Sequence, residues 1–261
     1  MLCMDPVSAV ETFSTLVTGV DIASKIKVNR IKFIWNKYCR PRIRVLIYGD
    51  SGVGKTQFLN TLTGKNAYTV QRTRSVQKYF LTLSSGRVVE FLDTPGHQTA
   101  GVIRGETLDE MTRGKINGII NLVDYGYQDS DELQKNPDKA FNVDTKEVKE
   151  SFLNENRKLE MSRTEEFVGR INPGVKVDWI ITVINKADVW FSDQDEVFKH
   201  YTLGEYAKLL SSLAHSVKLY TLPFCSVITP FANREMRLVL SERDKKGMFE
   251  TLVAHIESIL P

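Results

Sequence analysis

The run Gly49-Asp50-Ser51-Gly52-Val53-Gly54-Lys55-Thr56 brings together residue types that hold a phosphate chain, at the spacing such chemistry needs. It has the form G-x-x-x-x-G-K-[ST], in which glycines let backbone N–H groups converge on phosphate oxygens. Lys55 supplies a point charge for the β- and γ-phosphates, and the Thr56 hydroxyl is a ligand for Mg²⁺. Gln57 begins the helix expected next, whose N-terminal dipole adds partial positive charge. A second run, Phe91-Leu92-Asp93-Thr94-Pro95-Gly96-His97, closes an apolar stretch with an acid followed by a glycine. Asp93 there can hold Mg²⁺ through a water, and the Gly96 N–H can approach a γ-phosphate closely. A third run, Asn185-Lys186-Ala187-Asp188, follows the most β-branched segment of the chain. The Asp188 carboxylate can accept from the N1–H and 2-amino group of guanine. Adenine offers neither donor, and an unpaired buried carboxylate is costly. The Asn185 amide can meet the O6 side, and the Lys186 stem can cover the ring.

These three loops need strands that end beside one another. Arg44–Tyr48 reads as the first strand and residues 55–63 as the first helix, stopped by Gly64. Lys78–Leu83 and Val88–Phe91 read as a hairpin turned by Ser84-Ser85-Gly86. Ile119–Val123 and Trp179–Ile184 read as buried strands, with Phe224–Ile228 as the last. Helices are expected near 103–115, 145–169, 203–215 and 244–260. Apolar strands alternating with helices predict an α/β fold, a mostly parallel sheet covered on both faces, with ligands at the carboxyl ends of its strands.

Two segments stand apart. Residues 1–41 read as an N-terminal helical extension, apolar at helical spacing and then basic from Lys25 to Arg40. Packing on its own domain is the preferred reading, over contact with a partner or an anionic membrane surface. Residues 125–175 read as a charged insertion, a loop followed by one long solvated helix. The chain has 261 residues, 42% hydrophobic and 26% charged, as expected of a globular protein with a sizeable core. A net charge of +3 is too small to imply nucleic acid. Cys3, Cys39 and Cys225 form no disulfide or metal spacing, which predicts a reducing, cytoplasmic compartment. The ends carry no prenylation or myristoylation pattern.

Taken together, GDSGVGKT at 49–56, DTPGH at 93–97 and NKAD at 185–188 resemble the Ras-like GTP-binding domain, a P-loop class spanning small and translational GTPases. The resemblance covers residues 42–261. It implies a three-layer P-loop NTPase sandwich, bound GTP or GDP, Mg²⁺, and hydrolysis of GTP by water, slow unless a partner assists. Asp50, Ser51, Gly52, Val53, Gly54, Lys55, Thr56 and Gln57 would line the phosphates, with Gly96 at the γ-position. Asn185, Lys186 and Asp188 would select the base. Thr73, eighteen residues past Lys55, stands where such domains place a magnesium-completing switch threonine, with Thr69 as the rival. His97 stands where the family places the residue that orients the attacking water. The fifth family element falls at Cys225-Ser226-Val227, where Ser226 matches and Val227 does not, leaving a backbone contact to the base. Arg72, Arg74 and Arg104 lie in switch-like segments, but none is identifiable as an arginine finger. The implied role is a molecular switch that recruits or controls a protein effector and answers to an activating partner. The alternatives are a non-hydrolysing GTP-binding scaffold and, disfavoured by Asp188, an ATPase.

Overall fold

The computed structural model describes residues 21–66, 76–93, 116–129, 133, 135–142, 145, 147–171, 177–213, 217–229, 231 and 240–260. Thr69, Arg72, Thr73, Arg74, Gly96, His97, Arg104 and the helix expected near 103–115 lie outside them, as do residues 1–20 of the extension.

Six strands form one sheet: β1 (Ile43–Gly49), β2 (Gln77–Thr82), β3 (Val88–Asp93), β4 (Gly118–Val123), β5 (Trp179–Ile184) and β6 (Lys218–Pro223). They lie in the order β2-β3-β1-β4-β5-β6. Only β2 and β3 run antiparallel, as the hairpin expected at Ser84-Ser85-Gly86; every other neighbouring pair is parallel. Side chains alternate across each strand, so burial on both faces demands two apolar layers. Ile43, Val45 and Ile47 of β1 face one layer with Phe58, Leu59 and Leu62 of α2 (Lys55–Leu62) and Leu252 and Ile256 of α7 (Glu242–Ile259). Leu46 and Tyr48 face the other, with Leu153, Phe167, Val168 and Ile171 of α3 (Glu150–Ile171). Val197 and Tyr201 of α5 (Gln194–Leu203) and Tyr206 and Leu210 of α6 (Glu205–Ser211) complete that layer. A one-turn α4 (Ala187–Trp190) follows β5, and α1 (Asp21–Tyr38) precedes β1. The sheet with helices on both faces is the three-layer architecture expected.

Three local expectations differ. The last strand is Lys218–Pro223, not Phe224–Ile228. β6 lies at the end of the sheet and is mostly half-buried, so it lacks the continuous apolar run of a central strand. The apolar run after it is instead a loop at its carboxyl end, where Phe224, Cys225 and Ser226 are buried. The helix expected over 145–169 is α3, and it is not merely a solvated arm of an insertion. It is the crossover between the parallel neighbours β4 and β5, which need such a connection. Its apolar positions Leu153, Phe167, Val168 and Ile171 are sparse because it buries only one narrow stripe. The helix expected over 203–215 is the shorter α6, and a further helix, α5, precedes it across Gly204.

No helix among the described residues is long and apolar enough to cross a membrane. Close packing also sets a limit at β4. A Cβ on Gly118 would stand 2.2 Å from Cε2 of the buried Trp179 indole. Gly118→Ala should therefore lower stability by about 1–3 kcal/mol through overpacking. Urea denaturation should show this as a lower midpoint at unchanged slope; an unchanged midpoint would mean that the indole has room to shift.

Candidate functional site

The carboxyl ends of β1, β3 and β5 bring together the phosphate-loop segment, Asp93 and the Asn185–Asp188 turn. The phosphate-loop segment leaves β1 and feeds α2, whose first residue is Lys55. Gly54 caps that helix at φ 90°, and Gly52 turns at φ 83°, both left-handed conformations that L side chains rarely adopt. A Cβ on Gly52 would also meet the carbonyl of Asp129 at 2.2 Å. Lys55 is 7% exposed. Its ammonium donates to the carbonyls of Gly49 (2.9 Å) and Asp50 (2.7 Å), so the charge lies across the loop. Such a loop, opening onto a helix N-terminus, suits a chain of phosphates.

Across this loop, Thr56 Oγ1 donates to Asp93 Oδ2 at 3.3 Å. β1 and β3 are in register, with Ile47 opposite Asp93, which sets that carboxylate level with the end of β1. A hydroxyl and a carboxylate so close are hard oxygen donors of the kind that Mg²⁺ takes alongside phosphate and water. The residues present thus fit the ion.

The Asn185-Lys186-Ala187-Asp188 turn is bound directly to the phosphate loop. Asn185 Nδ2 donates to the Val53 carbonyl at 2.8 Å, and Lys186 Nζ to the Gly52 carbonyl at 2.7 Å. Lys186 adopts φ 59°, a strained value for a residue with a side chain, and also pairs with Asp124 at 3.0 Å and with the Tyr127 carbonyl. Asn185 Oδ1 accepts from the Ser226 N–H (3.3 Å) and hydroxyl (3.0 Å), and Thr61 Oγ1 donates to the Ser226 carbonyl (2.9 Å). One amide side chain therefore ties three loops. Asp188, 5% exposed, accepts longer contacts from Cys225 Sγ (3.5 Å) and the Thr229 N–H (3.4 Å). Burial raises its pKa above the usual carboxylate range, a tendency opposed by the Thr229 and Cys225 donors. Two good donors from a base would stabilise the ionised form.

Several contributors escaped the sequence reading. Asp50 is clamped from outside its own loop: Arg163 of α3 forms an ion pair with it, and Gln128 Nε2 donates to Oδ2 at 3.1 Å. Asp129 N–H donates to the Gly52 carbonyl at 3.3 Å. Asp124 ends the apolar run of β4 as Asp93 ends that of β3, a signal present in the sequence. Arg163 and Gln128 carried none, because their partner is far along the chain. Cys225, not Ser226, is the side chain that faces Asp188. Val227 is buried, and its carbonyl accepts from Cys225 Sγ at 3.3 Å.

Beneath Asp124 lies a second buried acid. Glu160 of α3 accepts from the Tyr201 hydroxyl (2.7 Å) and the Asp124 N–H (3.3 Å). Burial first, then the charge of Asp124, pushes its carboxyl up to about 8. The Tyr201 and Asp124 donors pull the other way but lose.

The family model described as 50S ribosome-binding GTPase matches residues 44–186. No curated protein matches the chain by sequence. Among solved structures, the chain is similar to the signal recognition particle receptor SRb-GTP/SRX complex from Chaetomium thermophilum, at 16% identity and a TM-score of 0.45, covering 81% of this chain and 99% of that one. It is similar to the Arl6 BBS3 small GTPase from Trypanosoma brucei at 11% identity and a TM-score of 0.45, covering 82% and 99%. Aquifex aeolicus Era is similar at 18% identity and a TM-score of 0.45, with 84% of this chain covered and 56% of the Era chain.

The Glu160 environment has a measurable consequence. Unfolded, its proton leaves near the ordinary value of 4.5; folded, it stays on to about pH 8. The folded state thus binds the extra proton between those values, and stability falls as pH rises through that window. Glu160→Gln, which mimics the protonated acid, should remove that slope and melt higher than the parent near the top of the window. A slope that survives the substitution would assign the titration to another group.

Proposed function

Because the chain belongs to the 50S ribosome-binding GTPase family, we propose that it binds GTP and GDP with Mg²⁺, hydrolyses GTP to GDP and phosphate, and serves as a switch for a protein partner. The observation that carries this reading is the pair of contacts from Asn185 and Lys186 to the carbonyls of Val53 and Gly52. They tie the Asn185–Asp188 turn to the phosphate loop at one rim, as a single nucleotide touching both would require.

Each residue then has a stated task. The N–H groups around Gly52 and Gly54, with the Lys55 ammonium, hold the β- and γ-phosphates and offset the charge that spreads over the γ-oxygens during transfer. Asp188 accepts from the guanine N1–H and 2-amino group, and the loop at Cys225-Ser226-Val227 bounds the base. Thr56 and Asp93, with Thr73, would hold Mg²⁺, which supplies Lewis-acid neutralisation of the β- and γ-oxygens when bound. His97, directly after the D-x-x-G motif, orients the attacking water; it need not be a strong base, because positioning dominates phosphoryl transfer. The chain supplies no identified arginine finger, so a partner that brings one would raise the rate by roughly 10³–10⁵. Loops that contact the γ-phosphate would relax on its loss, which gives the partner two states to read.

Asp188→Asn should weaken binding of a fluorescent GDP at least about tenfold, because one acceptor for the base is lost. Lys55→Ala should abolish that binding. Parental affinity in both variants, with melting unchanged, would remove the nucleotide from this rim. His97→Ala should slow single-turnover GTP hydrolysis by on the order of a hundredfold while sparing GDP affinity. An unchanged rate would take His97 out of the mechanism.

A further inference from the structure

Positive charge in this chain is concentrated at one end. From Asp21 to Arg42 the sequence has seven basic residues (Lys25, Lys27, Arg30, Lys32, Lys37, Arg40, Arg42) and one acid, Asp21. That surplus of six exceeds the +3 of the whole chain, so everything outside the segment sums to −3. An asymmetry of this size marks a surface that meets an anionic partner.

The same segment exposes apolar side chains. Among the described residues, seven large hydrophobic side chains are exposed, and five of them are Ile31, Phe33, Ile34, Tyr38 and Phe80. Ile31 is 53% exposed, Ile34 51% and Tyr38 74%. At about 100° per residue, Ile31, Ile34 and Tyr38 fall on one stripe of α1, opposite Asn36. Asn36 is the anchored side: it is 4% exposed, and its Nδ2 donates to the Ser85 carbonyl in the β2–β3 hairpin at 2.7 Å. Backbone contact reinforces the seat, since a Cβ on Gly86 would stand 2.5 Å from the Phe33 carbonyl. The helix is thus held by one face against the domain, with Arg30 and Lys37 together along one edge of the outward stripe. Arg42 carries the patch onto β2, its guanidinium 4.9 Å from the centre of the Phe80 ring.

We propose that this outward face of α1 is a docking surface for an anionic lipid membrane. Charge complementarity selects that occupant. A protein-binding patch is depleted of lysine and of charge at its core, whereas here cations alternate with the exposed isoleucines along the helix. Nucleic acid would use the cations but gain nothing from exposed isoleucines beside them. An acyl boundary beneath anionic headgroups uses both, and a helix lying in that plane is the arrangement such a stripe suits. The proposal does not depend on the nucleotide.

Full-length protein should co-sediment with phosphatidylcholine vesicles containing phosphatidylserine, and much less with phosphatidylcholine alone. Two variants separate the contributions: Arg30→Glu with Lys37→Glu, and Ile31→Ser with Ile34→Ser and Tyr38→Ser. Each should lower partitioning on the order of tenfold or more, with melting and GDP affinity retained as evidence of folding. Several outcomes would overturn the assignment. One is no sedimentation with anionic vesicles at low salt. Another is parental partitioning in the serine variant, which marks a generic polyanion surface. A third is a concentration-dependent dimer that the serine variant abolishes without vesicle binding, which gives the face to a second copy.

Discussion

The side-chain amide of Asn185 fixes the relation between the Asn185–Asp188 turn and the phosphate loop. Its nitrogen satisfies the Val53 carbonyl and its oxygen accepts from Ser226, so one planar group spans three chain segments 132 and 41 residues apart. At 1% exposure it is closed off from water, and breaking any of these bonds would leave a buried polar atom unsatisfied. Gly54 is part of the same constraint, since a Cβ there would press to 2.8 Å of the Asn185 nitrogen. Lys186 adds a second tie and takes an unfavourable φ of 59° to do so. Strain at that position is tolerable because Gly52, Asp124 and Tyr127 all hold the ammonium.

Parallel strands make this convergence possible. β3, β1, β4 and β5 all point the same way, so the phosphate loop after β1, Asp93 at the end of β3 and the turn after β5 lie at a single edge. The crossover helices that parallel pairing requires then become available as supports. α3 is the clearest case: Arg163 braces Asp50 of the phosphate loop, and Glu160 sits under Asp124, which in turn pairs with Lys186. Two acids in one buried region are tolerated because Lys186 neutralises Asp124 while Glu160 keeps its proton to about pH 8.

What could be read from the sequence divides by range. The phosphate loop, Asp93 and the Asn185–Asp188 turn are contiguous motifs, so their types and spacing carry the chemistry without knowledge of the fold. The central strands β1, β4 and β5 were legible because burial on both faces leaves continuous apolar runs. β6 was displaced by five residues or more because an edge strand with Lys218, Tyr220 and Thr221 lacks that signature, while the loop after it is apolar for packing reasons. α3 was legible as a helix, but its one buried stripe is diluted by charge, which hid its packing against the sheet. Arg163, Gln128 and the contact of Cys225 with Asp188 were invisible for another reason: each joins partners distant in sequence, and only the three-dimensional fold pairs them. The expected roles of Thr73, Gly96 and His97 remain readings of the sequence, since those positions lie outside the described residues.

On the proposed function, the Asn185–Asp188 turn and the phosphate loop form one nucleotide site because Asn185 joins them. Calorimetric titration of GDP into the parent and into Asn185→Ala tests it most directly, with thermal melting run alongside to confirm folding. Loss of the amide should weaken GDP by about tenfold or more while the variant still folds, since this tie between the two loops would be gone. Full GDP affinity in a folded Asn185→Ala protein would contradict the account.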